Sequence, residues 1–456
     1  MKLKTSLKGV LLGLVLSCSS WAANYEKVAE KKLFNGETVK EFKFQNGLKV
    51  LLVSRHQAPV LTYQVWFDVG SLNEKMDQKL NRTGLAHLFE HMMFRGTKKY
   101  PDGKFDELTS RLGSDKQNAT TYYYRTNYFE SVPAYQLEKI MELESDRMAN
   151  LILDGELLEK EKGAVVGEFR RAMDNPNRLA WDELMRLVYT ESPFRFTVLG
   201  TEEEIKGFSL EDAQYFYKTF YAPNNCTIIV VGDAKEENLL PMVDKYYGSM
   251  KPQEIPKLTL KDEAPQTKER KWEGKHAQAT SEILLMAYRI PPVTDPEIIP
   301  LSLISSHLSN GMESRLRKAL VDTGIAVGAS AGISNRPDLF EVSVSLSEKH
   351  SAEEAIRIID REVALLHQSK ISKSDFERAL NQELLSVYGS IGNNNALANL
   401  FGEYLMISGN YLRGLEVLEG YKKLDSGDLQ KIAKKYFKKE NRSIVIVRPS
   451  KKGKVS

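Results

Sequence analysis

Glu41-Phe42-Lys43-Phe44-Gln45-Asn46-Gly47-Leu48-Lys49-Val50-Leu51-Leu52-Val53 is the stretch that sets the fold class. Phe42 and Phe44 alternate with charged neighbours, as in a strand with one buried face. Asn46-Gly47 supplies the left-handed conformations of a two-residue turn, and the apolar run after it reads as the second strand of a hairpin. Another strand follows over 61–67, then a stretch over 71–81 that reads as a polar loop. Thr83 is placed to cap a helix carrying Leu85, Leu88, Phe89 and Met92 on one face. Helical periodicity recurs over 135–150, 156–173 and 210–220, and 227–231 reads as a strand. The pattern predicts a mixed sheet-and-helix domain over residues 24–250.

Apolar periodicity then lapses. Lys251-Pro252-Gln253-Glu254-Ile255-Pro256-Lys257 is rich in proline and charge, and 251–275 reads as a linker. Strands over 282–288, 339–346 and 443–447 and helices over 298–309, 352–368 and 374–387 make a second domain over 276–456. Their order echoes the first half. The expectation is an α+β protein of two duplicated domains, each a mixed, mostly antiparallel β-sheet flanked by helices. A length of 456 residues is also too great for one comfortable core.

The first residues stand apart from that pattern. Lys2, Lys4 and Lys8 precede a short apolar run over 9–16, and Ser20-Trp21-Ala22 follows as a small-x-small cleavage signal, which reads as a secretory leader over 1–23. Val15-Leu16-Ser17-Cys18 offers the alternative of a lipoprotein signal ending before Cys18. The chain is therefore expected in the bacterial periplasm or outside the cell, or on the outer membrane if Cys18 is acylated. Without the three leader lysines the 64 basic residues fall level with the 61 acidic ones. Neither nucleic acid nor an anionic membrane is suggested as a partner. Cys18 and Cys226 are the two cysteines, so a disulfide framework and cysteine-ligated zinc are both excluded. Cys226, within Cys226-Thr227-Ile228-Ile229-Val230-Val231, reads as a buried strand residue.

His87-Leu88-Phe89-Glu90-His91 carries the chemistry. Positions i and i+4 of a helix share a face, so His87 and His91 can direct imidazole nitrogens at one ion, with Glu90 beside them. Two imidazoles, a third protein ligand and an open position make a catalytic zinc site, in which an adjacent carboxylate deprotonates water for attack on a peptide carbonyl. Glu90 is the candidate base. The bland alternative is a chance pair of helix-face histidines. With seven histidines in the chain, that spacing arises by accident on the order of once in a hundred such sequences.

The order H-x-x-E-H inverts the commoner H-E-x-x-H. With its surroundings it resembles the pitrilysin and insulysin family of inverzincin zinc peptidases, and within it the half-size, mitochondrial-processing-peptidase-like branch. The resemblance is carried by Gly84-Leu85-Ala86-His87-Leu88-Phe89-Glu90-His91-Met92-Met93-Phe94-Arg95-Gly96-Thr97, Asn118-Ala119-Thr120-Thr121, Thr126-Asn127-Tyr128-Phe129 and Glu161-Lys162-Gly163-Ala164-Val165-Val166-Gly167-Glu168. It continues in Leu199-Gly200-Thr201 and Tyr221-Ala222-Pro223-Asn224-Asn225. In that family a glutamate on a later helix, roughly 75 to 80 residues past the second histidine, completes the ligand set. Glu168 stands at the matching position, which implies one zinc ion per chain. Glu161, two helical turns earlier on the same face, is implied to support the site, with a surface role as its alternative. Asn118 and Ala119 fall where the family adds substrate backbone to an exposed strand edge, an ordinary edge strand being the alternative.

One part of the family pattern fails. Active single-chain members carry an arginine and a tyrosine after a Ser-Arg-Leu segment in the half without metal. Here Ser314-Arg315-Leu316 leads to Val321 and Val327 at those places. Arg315 or Arg317 could stand in for the arginine, whereas the tyrosine has no substitute. The resemblance thus implies an exported zinc metalloendopeptidase acting on peptides or unfolded polypeptides, completed by a homologous second subunit or a homodimer. The alternative is a non-catalytic peptide-binding or assembly subunit of the same fold.

Overall fold

The computed structural model describes residues 24–257, 259–261, 263–334 and 338–450. The leader read over 1–23 lies outside the described residues. In the first half, β1 (Tyr25–Lys32), β2 (Thr38–Phe44), β3 (Lys49–Ser54) and β4 (Val60–Phe67) precede α1 (Ser71–Met76), α2 (Leu85–Met92) and α3 (Lys104–Arg111). Then come β5 (Asp115–Thr121), β6 (Thr126–Pro133), α4 (Leu137–Asn150), α5 (Gly155–Met173) and α6 (Pro176–Val188). The half closes with α7 (Glu202–Gly207), α8 (Leu210–Phe220), β7 (Cys226–Gly232) and α9 (Glu236–Tyr247). The second half runs β8 (Arg270–His276), β9 (Ile283–Arg289), α10 (Ile298–Ser309), β10 (Ala326–Ile333) and β11 (Leu339–Leu346). It ends with α11 (Ala352–Gln368), α12 (Lys373–Gly392), α13 (Asn394–Ser408), α14 (Arg413–Tyr421), α15 (Ser426–Tyr436) and β12 (Arg442–Pro449).

The sheets have strand orders β1-β2-β3-β7-β4-β6-β5 and β10-β11-β9-β12-β8. Read from β3 and from β8, the two orders are the same. Each contains one parallel pair, β3 with β7 and β8 with β12, among antiparallel neighbours. The domain is duplicated, and β1 and β2 are the first half's addition. The β2–β3 turn forms at Asn46-Gly47, where Gly47 takes φ 89° and a Cβ would lie 2.6 Å from Asn224 Cβ.

Both faces of each sheet are covered, which is why Val50-Leu51-Leu52-Val53 does not alternate. Val50 and Leu52 enter the core of the first half, built with Leu85, Leu88 and Phe89. Leu51 and Val53 face Leu397, Ala398 and Phe401 of α13, a helix from the second half. The exchange is reciprocal: Ala180, Leu184 and Val188 of α6 pack on Ile283, Leu285, Val445 and Val447 of the second sheet. Each half lends one helix to the other's outer face.

Two stretches differ from the sequence reading. Residues 71–76 form α1 rather than a polar loop, because Asn73 Oδ1 accepts the Gly70 N–H at 2.9 Å and the hairpin turn Tyr122–Tyr123 receives the N–H groups of Ser71 and Leu72. Strand β8 begins at Arg270, where apolar periodicity is faint because its residues alternate between half-buried and exposed. Ahead of it Glu263 accepts the backbone N–H groups of Thr190, Glu191 and Ser192 at 2.8, 3.0 and 3.0 Å, tying the connection to the end of α6. Among the described residues no helix is long and apolar enough to cross a membrane.

Candidate metal centre

Helix α2 carries His87, Glu90 and His91. Its start departs from expectation: Gly84, in the left-handed region at φ 103°, precedes the first turn and offers no side chain. Thr83 does not cap it. The Thr83 hydroxyl donates instead to Glu204 Oε2 at 2.6 Å. The first amides of α2 are taken by Glu74 of α1, whose Oε2 and Oε1 accept the N–H groups of Leu85 and Ala86 at 2.6 and 2.9 Å. Burial pushes the Glu74 pKa up to about 8 against the pull of the Ala86 and Leu85 amides.

Helix α5 crosses α2 and brings Glu168 to the histidines. Glu168 Oε2 lies 3.8 Å from His87 Nε2 and 3.6 Å from His91 Nε2, and one ligand atom from each of the three residues falls within 4.8 Å of the others. Zinc with bonds of about 2.0–2.2 Å in a tetrahedral shell sets its ligand atoms roughly 3.3–3.6 Å apart, so a small contraction would close this set. A neutral imidazole at His87 and the carboxylates around His91 suit a cation. Burial, then the neighbouring His91 and Arg178, lowers the His87 pKa to about 4, and a neutral imidazole is the form that binds metal. At His91 burial is outweighed by the carboxylates of Glu161, Glu90 and Glu168, which hold its pKa above the usual value. The residues present fit the ion.

Glu161 stands behind His91. Its side chain is 1% exposed, with Oε2 3.6 Å from His91 Nδ1 and Oε1 2.8 Å from Arg95 Nε. A buried carboxylate on the far nitrogen of a ligand imidazole fixes which nitrogen faces the metal. Arg95 neutralises that carboxylate and also reaches Asp102 Oδ1 at 3.3 Å.

Glu90 is held from the other side. The Thr121 hydroxyl, at the end of β5, donates to Glu90 Oε2 at 2.5 Å. Burial raises the Glu90 pKa, with Thr121, His91 and Arg125 pulling the other way. Strand β5 is the outermost strand of its sheet. Asn118 is exposed and Ala119 buried along it, with Asn118 Oδ1 accepting the Ala119 N–H at 2.9 Å. The sheet edge therefore runs from Asn118 up to the residue that holds Glu90.

The structure thus gathers His87, Glu90, His91, Glu161 and Glu168 and sets Asn118 and Ala119 on the adjoining edge. Sequence reasoning missed Glu74, Thr121 and Arg95. Arg95 and Thr121 lay inside stretches already quoted for the family pattern, whereas Glu74 had no signal because it acts on backbone amides. The two arginines considered as substitutes are engaged elsewhere. Arg315 Nη2 pairs with Glu362 Oε2 at 2.6 Å and Arg317 Nε with Asp322 Oδ1 at 3.4 Å. Val327 is exposed.

The family pattern described as Insulinase (Peptidase family M16) matches residues 49–202, and that described as Peptidase M16 inactive domain matches 207–383. Together they span well over half of the chain. The chain belongs to the half-size, pitrilysin-type branch of the M16 peptidases. It is 26% identical over 457 residues to the zinc protease PqqE of Helicobacter pylori, covering 96% of each chain. It is 22% identical to the mitochondrial-processing peptidase subunit beta of Lentinula edodes, covering 86% of each. A solved structure of a protease from Helicobacter pylori superposes with a TM-score of 0.84 at 25% identity, over 94% of this chain and 100% of that one. The fold also recurs in the periplasmic protease PqqL of Escherichia coli, with a TM-score of 0.75 at 18% identity. There it covers 92% of this chain and 48% of the longer one. The fold and the relatives of this M16 chain are those of a peptidase.

Proposed function

We propose that this M16 chain is an exported zinc metalloendopeptidase acting on peptides or unfolded polypeptides. The reading is carried by one observation: His87, His91 and Glu168 converge from two helices on a common point, with Glu90 alongside and a free strand edge leading to it. Zinc held by those three residues would polarise the scissile carbonyl and make a water more acidic. Substrate backbone adds to β5 past Asn118 and Ala119, so main-chain bonds rather than one side-chain pocket align it. Glu90, oriented by the Thr121 hydroxyl, takes the water's proton and returns it to the leaving amine. Glu161 keeps His91 Nε2 aimed at the ion.

The domain plan in this proposal is a leader over 1–23, a metal-bearing domain over 24–250, a connection over 251–275 and a metal-free domain over 276–456. Val321 and Val327 occupy the places of the family's arginine and tyrosine, and a second copy would carry the same two valines, so a homologous subunit that bears the pair supplies the groups that face the reacting carbonyl. The competing reading is a non-catalytic peptide-binding or assembly subunit, favoured by the second half's match to a domain described as inactive. The two separate in one comparison. On the peptidase reading, Glu90→Gln keeps its zinc and lowers cleavage of an unstructured peptide by roughly 10²–10⁴-fold. On the other reading wild type and variant bind the peptide alike and neither cuts it, with or without the homologous subunit.

A further inference from the structure

Helix α2 has eight residues, too few to hold itself as an isolated helix, yet it must aim two imidazoles at one ion. The chain entering it is pinned by close backbone contact. A Cβ on Gly84 would lie 2.6 Å from Leu199 O, and one on Gly200 would lie 2.2 Å from Thr83 O. The Leu199-Gly200-Thr201 loop, on which the peptidase chemistry makes no demand, thus fixes where α2 begins. Leu85, Leu88, Phe89 and Met92 seat the helix in the core of the first half, but apolar burial is non-directional and fixes its depth more firmly than its rotation. Glu74 is fully buried, and its two oxygens grip the first two successive amides of the helix, a directional contact that resists a roll. An imidazole nitrogen sits roughly 5–6 Å from the helix axis, so a roll of about 10° displaces it by about 1 Å, beyond the tolerance of a preorganised site.

We propose that Glu74 is a positioning residue of the metal centre, its two-oxygen hold on the Leu85 and Ala86 amides setting the rotation of α2 and with it the direction of His87 and His91. The inference deepens the zinc-peptidase reading and rests on its ligand set, while its test needs no cleavage. Glutamine keeps one acceptor oxygen and turns an NH₂ group against the other amide, so Glu74→Gln loses half of the grip. Thr83→Val is the control: it removes the hydroxyl bond to Glu204 in the same neighbourhood and leaves the grip intact.

The readouts are zinc affinity by chelator competition, the visible spectrum of the Co²⁺-substituted full chain, and melting of the metal-free form. Glu74→Gln is expected to weaken zinc binding by roughly 10–100-fold and to change the Co²⁺ bands. Thr83→Val is expected to leave both near wild type whatever it does to melting. Unchanged affinity and spectrum in folded Glu74→Gln, or an equal loss in Thr83→Val, would overturn the proposal. Should Glu74→Gln fail to fold, hydrogen exchange in zinc-free wild type decides. Leu85 and Ala86 amides as protected as that of Leu88 support the grip, and free exchange at both refutes it. A chain whose zinc affinity depends on Glu74 but which cuts no peptide would count against the peptidase reading alone.

Discussion

The two halves repeat one sheet and differ in what they hang on it. Between β4 and β5 the first half places α1, α2 and α3, with His87, Glu90 and His91 on α2; between β9 and β10 the second half places the apolar α10, whose single histidine is His307. After β6 and after β11 each half continues with five α-helices, α4–α8 and α11–α15. The second of these carries Glu161 and Glu168 in α5, and the third crosses to the other sheet in both halves. Apolar pattern is therefore enough to repeat the architecture, sheet order and helix exchange included. Metal chemistry depends on a handful of polar side chains that packing does not require. His307 shows the limit of one histidine. Burial lowers its pKa to about 4 and its Nδ1 is buried without a hydrogen-bond partner, yet among the described residues only His87, His91 and Glu168 form a possible metal-binding group.

The contrast is broken most directly by substituting Glu168 in one half and His307 in the other. Glu168→Gln should lower zinc affinity by several orders of magnitude, because zinc loses its anionic ligand, while His307→Ala should leave zinc content at one per chain. A metal titration by calorimetry or mass spectrometry checks both, and a zinc deficit in His307→Ala would place metal in the wrong half. Next in size is Glu161→Gln. The amide cannot anchor the His91 imidazole as the carboxylate does, so zinc affinity should fall by roughly 10–100-fold with the fold intact. Equal affinity would make Glu161 a partner of Arg95 and nothing more.

How much of this could be read from the chain follows from the range of each interaction. The β2–β3 hairpin, α2 and α5 were legible because their signals are local: a two-residue turn, and apolar residues at helical spacing. His87, Glu90 and His91 were legible because one helical turn brings them together. Glu168 is distant in sequence and followed only from family resemblance. Helix α1 escaped because Ser71-Leu72-Asn73-Glu74 is polar and is held by the Tyr122–Tyr123 turn, and Thr83 was misassigned as a cap because the true holder of the helix start, Glu74, belongs to another element. The reciprocal crossing of α6 and α13 has no local signature, since an apolar helix face does not say which sheet it covers.

The smallest expected effect lies in the interior of the first half. Glu130 is buried in β6 without a hydrogen-bond partner for either oxygen, near the ion pair of Glu144 and Arg147, whose Oε2 and Nη2 lie 2.7 Å apart. Burial and then the charge of Glu144 push the Glu130 pKa well up, with Arg147 opposing. An acid whose pKa is raised in the folded state stabilises it below the ordinary carboxylate range and loses that contribution as pH climbs through the folded value. Glu130→Gln mimics the protonated form at every pH. Its melting temperature should gain on wild type between pH 6 and pH 9, by an amount on the order of a few degrees. Parallel melting curves would show Glu130 ionised in the fold.

The central claim is that one half of this duplicated chain is a working zinc peptidase site. The most direct test purifies residues 24–456 and measures bound zinc and cleavage of an unstructured peptide library, for wild type and Glu90→Gln, alone and with a homologous subunit carrying the arginine and tyrosine. One zinc is expected in both proteins, with cleavage by wild type that a chelator abolishes and Glu90→Gln nearly eliminates, and that rises when the second subunit is present. Zinc-replete wild type that cuts nothing in either setting, or Glu90→Gln that cuts as well as wild type, would contradict the claim.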